Sequence, residues 1–595
     1  MAKLQDQKNS SIGLSLQDSD ILAYLSEEAF VNQRLLSEAT GHSLGVVNRS
    51  LKNLTEFGYI DDSAKLTSKA DKLFKTTAPK NAIILAAGFG MRMVPINLSA
   101  PKAFLEVNGE RLIERQIRQL HEAGIKDITV VVGFMKDSFE YLIDEFGVEL
   151  VYNPDYSTKN NIFSLALVSD RLSNTYIVPC DVWCDKNPFK KNELYSWYMV
   201  SDLIDEESTV RLNRKTELVM VPEFEAGNRM VGISYLLEND SAKVADRLKT
   251  FVEDSMYENS FWEVALYDKD RMFIPAKVVP GNEAVEINTY EQLREFDSKS
   301  NLLQNDAINV IAEALSCEVS EIEDINILKK GMTNRSFVFS VKGQKYIMRI
   351  PGEGTDLLIN RKEEAEVYSA ISGLGLCDDP VYINPENGYK ITKFLEGVRT
   401  CDSSNVDELT KCMKKLKGFH DMKLTVQHTF DIFGQIDFYE NLWEGNPSVY
   451  RDYEKTKANV LSLKEFIDSQ DHDWCLTHID ANEDNFLFHD TPEGENLQLT
   501  DWEYAGMQDP HVDIAMFCIY SMFDKKQTDQ LIDIYFEGKC DTKTRAKIYC
   551  YMAASGLLWS NWCEYKRLFG IEFGEYSLAQ YRYAKDYFKY ANELM

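Results

Sequence analysis

The tightest constraint on this chain lies between Thr477 and Asp513, THIDANEDNFLFHDTPEGENLQLTDWEYAGMQDPHVD. A polar loop carries His478-x-Asp480-x4-Asn485, an apolar run follows, and the run ends in Asp501-Trp502-Glu503. The bland alternative is an acidic loop on a solvated surface. Three oxygen-bearing groups at this spacing, with an apolar strand between them, argue for one folded site instead.

At 595 residues the chain exceeds one core and is expected to form about three domains. A formal charge of −30 argues against general binding to nucleic acid or anionic membrane. No apolar run reaches the roughly 18 residues of a membrane span, and the opening MAKLQDQKNS has no apolar signal core. The 11 cysteines are scattered, and Cys180 and Cys184 have no second pair at zinc-binding spacing. Reduced thiols in a cytoplasmic protein are the simplest expectation.

Residues 16–25, 31–40 and 44–57 each have helical apolar periodicity, with Thr40-Gly41 as a turn. Phe57-Gly58-Tyr59-Ile60 starts a short strand pair around Asp61-Asp62-Ser63, and Leu66–Phe74 leaves it. Three short helices and a two-stranded wing resemble a winged helix-turn-helix module. Its candidate recognition helix, Leu44–Phe57, carries Arg49 and Lys52 against Glu56, and residues 1–77 hold nine Lys/Arg and ten Asp/Glu. A DNA reader needs a clear basic face, so docking or regulation inside the protein is the favoured use.

After Ala78-Pro79-Lys80, the apolar strand Asn81–Leu85 runs into Ala86-Ala87-Gly88-Phe89-Gly90-Met91-Arg92, and Pro101-Lys102-Ala103-Phe104-Leu105 follows. Glycines after a strand let N–H groups close on phosphates, and Arg92 and Lys102 can neutralise a triphosphate. The spacing departs from the dinucleotide pattern G-x-G-x-x-G. The full pattern L-A-A-G-x-G-x-R … P-K-x-x-L resembles the sugar-phosphate nucleotidyltransferases. Alternating strands and helices from Ile128 to Tyr152 predict a mostly parallel sheet. Tyr176–Asp181 is an apolar strand ending in a carboxylate, where such sheets bind ligands. The resemblance makes Asp181 and Asn288 the Mg²⁺ ligands, Asn288 standing where relatives often have Asp. The run Asn153–Ser164 and the segments Gly232–Tyr235 and Phe261–Glu263 resemble the bacterial CTP:phosphocholine cytidylyltransferases. That implies CTP contacts from Leu85, Ala86, Ala87, Gly88, Gly90, Arg92, Lys102, Asn160, Asn161 and Ser164. Tyr235, Trp262 and Glu263 would supply rings and negative charge to a trimethylammonium group; core packing is the alternative for this trio.

From Asp306 the chain starts again. Ile327–Val341 reads strand, turn, strand, with Thr333 and Asn334 in a turn able to lie over ATP phosphates, and Arg349 sits in the next strand. Glu364 is the expected ion-pair partner of Arg349, and Lys393-Phe394 lies in the expected hinge. Phosphoryl transfer from ATP needs a carboxylate to accept the hydroxyl proton, for which Asp480 fits, and oxygen ligands for Mg²⁺, for which Asn485 and Asp501 fit. Together these motifs resemble the choline kinases and the related aminoglycoside phosphotransferases. Trp559, Trp562 and Tyr565 fall at i, i+3 and i+6, one side of a helix. Choline kinases carry a similar W-x-x-W helix, which implies an aromatic cage for a quaternary ammonium; an aminoglycoside site favours carboxylates.

The expected chain is therefore multidomain, with α/β and α+β parts. A small winged helix module spans residues 1–77, a Rossmann-like α/β nucleotidyltransferase domain 78–302 and a bilobal protein-kinase-like domain 303–595. The resemblances imply ATP-dependent phosphorylation of choline at Asp480. CMP transfer from CTP to phosphocholine follows, with Arg92 and Lys102 catalytic, Mg²⁺ in both sites and small molecules as the partners. Ethanolamine in place of choline, or a ligand-sensing DNA regulator, remain as alternatives. Oligomeric state is not legible.

Overall fold

Four capped helices open the chain. Side-chain oxygens of Ser15, Asn32, Ser43 and Thr67 accept the first free N–H groups of helices Leu16–Glu27, Gln33–Thr40, Leu44–Glu56 and Ser68–Thr77. The structure, a computed structural model, describes residues 13–96, 100–222, 225–328, 334–352, 358–471, 473–492, 494–568 and 573–595. The chain divides into two compact units, Met1–Asn309 and Val310–Met595.

In the first unit the expected wing reduces to one bridge, Ile60 to Leu66. Asp61 draws the turn tight, its carboxylate accepting the N–H groups of Ser63 and Lys65, so there is room for a single pair. Ile21, Leu22, Val47, Leu54 and Phe74 form the small core of these helices, and Leu194 from far along the chain completes it. Tyr195 donates its hydroxyl to Asp20 at 2.6 Å, and Asn174 donates to the carbonyls of Thr76 and Ala78. The helices are thus seated on the sheet that follows.

That sheet begins as expected. Strand Asn81–Ala86, five of whose six residues are buried, lies between Ile128–Val132 and Thr175–Pro179, all parallel, with Glu149–Tyr152 outside. It then continues through Gly227–Leu236, Trp197–Asp205 and Arg271–Val279 to Glu217–Met220 and Val210–Leu212. Here it is mixed: Gly227–Leu236 is antiparallel to both neighbours, while Arg271–Val279 is parallel to Trp197–Asp205. The mostly parallel expectation holds only for the strands joined by helical crossovers; short returns need antiparallel neighbours. A separate ribbon pairs Val182–Cys184 with Ala284–Glu286 and so carries the 286–288 segment back beside Asp181, whose carbonyl accepts the Ile287 N–H at 3.0 Å.

The second unit has two layers of different build. Strands Ile322–Ile327, Asn334–Val341, Gln344–Pro351, Lys390–Lys393 and Tyr382–Ile383 form an antiparallel sheet backed by helix Arg361–Ile371. The rest is mainly helical, built around Thr542–Arg567, which is buried on every side from Ala546 to Cys563. A helix buried all round belongs at the centre of a domain, and it packs along Glu575–Leu594 and His511–Tyr520. Among the described residues no helix is long and apolar enough to cross a membrane.

Two candidate active sites

In the first unit the site forms at the carboxyl ends of the parallel strands. Leu85, Ala86 and Ala87 are buried, and the Ala87 carbonyl accepts the Phe134 N–H. Gly88 is exposed. Gly90 has φ 61°, and a Cβ there would lie 3.1 Å from Lys102 Cβ; the position thus favours glycine twice over.

Lys102 Nζ donates to Asp181 Oδ2 and Asn288 Oδ1, and Arg92 Nη2 donates to the same Asn288 oxygen at 3.3 Å. The residues expected at one site are thus brought together across 196 positions of sequence by the ribbon. Asp181 Oδ1 is buried with no hydrogen-bond partner among the described residues. Burial and then the Asp181 carboxylate push the Glu286 carboxyl up. An orphaned carboxylate oxygen, an amide oxygen and a second carboxyl are a donor set that fits a hard divalent ion sharing its remaining ligands with phosphates and water.

Around this centre the expected contacts divide. Asn160 caps the helix Asn161–Ala166 and donates to the Asn259 carbonyl at 3.0 Å. Asn161 Oδ1 accepts the Trp262 N–H at 2.8 Å, and Ser164 Oγ accepts from Asn153 at 3.0 Å. Asn160 and Asn161 thus knit segment 153–164 to segment 259–262, and Ser164 ties the segment to itself. Tyr235 is a correction: it is wholly buried against Tyr176 and donates to the Thr77 carbonyl, because its strand turns that face inward. It is a packing residue, not a cage wall. Trp262 is 2 % exposed and lies 6.3 Å from the Tyr198 ring. Glu263 accepts from Tyr198 at 3.0 Å and leaves Oε2 buried without a hydrogen-bond partner among the described residues. Burial first, then Glu286 and Asp181, push its carboxyl up to about 7.

In the second unit, strand Cys475–Thr477 delivers the polar loop. Asp513 holds that loop by accepting the N–H groups of His478 and Ile479 at 2.9 and 2.7 Å, and Nε2 of buried His420 binds it at 2.8 Å. Ile479 takes φ 67° and Asp501 φ 66°, backbone strain that the surrounding bonds maintain. His478, kept neutral by burial, donates Nε2–H to the Thr500 carbonyl at 2.8 Å.

Asp480 accepts amide N–H groups from Asn482 and Asn485, each at 3.0 Å. Burial first, then the Asp501 carboxylate, push it up to about 7, while the nearby Tyr520 hydroxyl works the other way. With its NH₂ turned to Asp480, Asn485 has its amide oxygen left for a cation beside Asp501. That pair fits Mg²⁺, which takes one or two protein oxygens and completes its shell with phosphate and water. Among the described residues no cluster of three or more His, Cys, Asp or Glu has metal-holding geometry.

Arg349 and Glu364 form the expected pair, bidentate at 2.5 and 2.7 Å. Arg361 bridges Glu364 at 3.1 Å and Glu503 at 3.4 Å, and Lys390 reaches Glu364 at 3.4 Å. Burial works to raise the Glu364 carboxyl, but Lys390, Arg349 and Arg361 outweigh it and hold it at about 2. Lys393 is exposed at the end of its strand, and the Phe394 N–H donates to the Lys345 carbonyl at 3.0 Å. Thr333 and the side chain of Asn334 lie outside the described residues.

Trp559 and Trp562 meet edge to face at 5.8 Å between ring centres. Trp559 also packs against Tyr504 at 5.7 Å and Tyr520 at 5.5 Å, and Tyr520 stacks on Tyr576 at 6.3 Å. Trp562 leans on Phe573, and Tyr565 is 7 % exposed. The half-buried Tyr504, Tyr520 and Tyr576 were not singled out from sequence. Tyr504 directly follows the Asp-Trp-Glu triplet, a signal that was available; Tyr520 and Tyr576 sit on separate helices and gave none. Glu503 as a second partner of Arg349, and Arg361 and Lys390 as partners of Glu364, were likewise missed.

Residues 325–555 match the family model for choline/ethanolamine kinase, residues 82–187 that for the MobA-like NTP transferase domain, and residues 14–61 that for winged helix-turn-helix DNA-binding domains. Over 224 residues the chain is 32 % identical to the choline-phosphate cytidylyltransferase of Streptococcus pneumoniae, covering 36 % of this chain and 96 % of that protein. It is 31 % identical over 233 residues to the 2-aminoethylphosphonate cytidylyltransferase of Lancefieldella rimae, covering 36 % and 92 %. Among solved structures, choline kinase LicA from Streptococcus pneumoniae is 28 % identical, covers 47 % of this chain and 98 % of its own, and superposes with a TM-score of 0.41.

Proposed function

The chain belongs to the choline-phosphate cytidylyltransferase family and joins to that part a kinase domain of the choline/ethanolamine type, and on that premise we propose that it makes CDP-choline in two consecutive steps. The C-terminal part phosphorylates choline with ATP. The middle part then transfers CMP from CTP to the phosphocholine and releases pyrophosphate.

The observation that carries this reading is the cluster of rings near Asp480. The Tyr520 ring packs on Trp559 at 5.5 Å, and its hydroxyl lies near enough to Asp480 to favour the carboxylate. One residue therefore lies close to both the base and the aromatic wall. A quaternary ammonium has no N–H to donate, so ring faces bind it where carboxylates and carbonyls would serve a primary amine; each ring contributes roughly 0.5–2 kcal/mol.

Asp480, raised toward neutrality by burial, orients the choline hydroxyl and accepts its proton at the carboxylate. Arg349, fixed by Glu364, reaches toward the ATP phosphates. In the middle part the phosphocholine oxygen attacks the α-phosphorus of CTP in line, and the backbone at Gly88 and Gly90 with Arg92 and Lys102 takes up the developing charge. Mg²⁺ between Asn485 and Asp501, and between Asp181 and Asn288, would neutralise phosphate oxygens when bound.

A primary amine is the second reading, favoured by Glu263, whose buried Oε2 could accept from an ammonium N–H. A phosphonate such as 2-aminoethylphosphonate fits less well, because a substrate already carrying phosphorus has no use for an attached kinase. Incubation with choline, ATP, CTP and Mg²⁺ should yield CDP-choline and pyrophosphate. Faster turnover of ethanolamine in a parallel reaction would replace the first reading by the second.

A further inference from the structure

We propose that Lys102 and the divalent ion are alternative occupants of one place in the nucleotidyltransferase half, so that nucleotide phosphates must draw Lys102 away before metal can bind. The proposal rests on reading that half as a nucleotidyltransferase, and is independent of which amino alcohol it uses.

The Lys102 ammonium lies between Asp181 Oδ2 and Asn288 Oδ1 with its side chain only 10 % exposed. Those are the oxygens a metal needs at this end of the sheet. An amide oxygen has two lone pairs, and at Asn288 Lys102 takes one and Arg92 the other, at 3.3 Å. A divalent ion that coordinates Asn288 must therefore displace one of two cations, and it must enter beside both of their charges.

Asn288 strengthens the effect. An amide brings no charge to help the incoming ion, so Asp181 and Glu286 supply the carboxyl charge beside Lys102, while Arg92 also pairs with Glu207 at 3.5 Å. The phosphates of CTP change the balance: they offer both cations stronger, charge-assisted acceptors, and they bring metal ligands of their own. Phosphate binding thus frees Asn288 Oδ1 and Asp181 Oδ2 in the same step that supplies the rest of the coordination shell. By linkage, metal and nucleotide then strengthen each other's binding by the same factor.

Mn²⁺ is the probe, measured by electron spin resonance on the full chain carrying Asp501→Asn to remove the kinase ligand. Binding should be at least tenfold tighter with an α,β-methylene analogue of CTP than without it. Adding Lys102→Met should tighten nucleotide-free binding about tenfold and shrink the effect of the analogue by the same factor, leaving what the phosphate ligands themselves supply. Asn288→Asp should also tighten nucleotide-free binding. Equal Mn²⁺ affinity with and without Lys102→Met, or nucleotide-free binding already as tight as bound, overturns the proposal. Lys102→Gln replaces the Met variant if circular dichroism shows the latter misfolded. If the analogue fails to bind by calorimetry, the nucleotidyltransferase reading fails and takes the proposal with it.

Discussion

Glu364→Gln tests the electrostatic frame of the kinase half. Glu364 is 2 % exposed and faces Arg349, Arg361 and Lys390, all buried. An amide keeps the shape but leaves three cations to Glu503 and Asp501. Breaking a buried pair on one side costs about 3–5 kcal/mol, a melting-point fall of about 6–20 °C. The pH dependence gives an independent figure. The folded carboxyl titrates at about 2, below its ordinary 4.5. Its contribution is therefore fully present above 4.5 and is lost as pH falls through 2. The shift corresponds to roughly 3 kcal/mol at neutral pH. Calorimetry on wild type and variant should show the gap narrowing to roughly half by pH 3. Arg349, no longer held by two bonds, should let the KM for ATP rise while CTP-dependent conversion of added phosphocholine is unchanged. A melting point within 2 °C of wild type, with an unaltered ATP KM, refutes the reasoning.

Asp480→Asn should abolish ATP-dependent phosphorylation while CTP turnover of supplied phosphocholine persists; loss of both would mean that the two active sites do not work independently. Trp559→Ala should raise the KM for choline roughly 3- to 30-fold and that for ATP less than twofold, and a defect confined to ATP removes Trp559 from the cage. Leu194→Ala empties a place in the core of the N-terminal helices at about 2–5 kcal/mol. Limited proteolysis should then cut near Ala78 in the variant first; identical digestion patterns would mean that Leu194 is not what seats those helices.

Local order was legible wherever chemistry demanded a spacing along the chain. The strand into Gly88 and Gly90, the carboxylate that follows Tyr176–Cys180, the Asp480–Asn485 loop and the Trp559–Trp562 pair are each set by neighbours within one turn or one strand. Tyr235 was misjudged because a residue in an alternating strand belongs to one of two faces, and its neighbours along the chain do not say which one the sheet buries. The ring cluster around Trp559 was only half visible, since Tyr504, Tyr520 and Tyr576 come from separate parts of the chain and meet only when those pack.

Sequence alone thus determined the two chemistries, because glycines, carboxylates and cations at set intervals have few other uses. Tertiary structure decided which charges face one another. The ribbon that returns residues 284–286 to Val182–Cys184 sets Asn288 under both Lys102 and Arg92, and the packing of helix Arg361–Ile371 sets Arg361 between Glu364 and Glu503. Apart from the local Arg361–Glu364 pair, such contacts join residues over a hundred positions apart, and buried charges interact strongly only once the fold has removed the water between them.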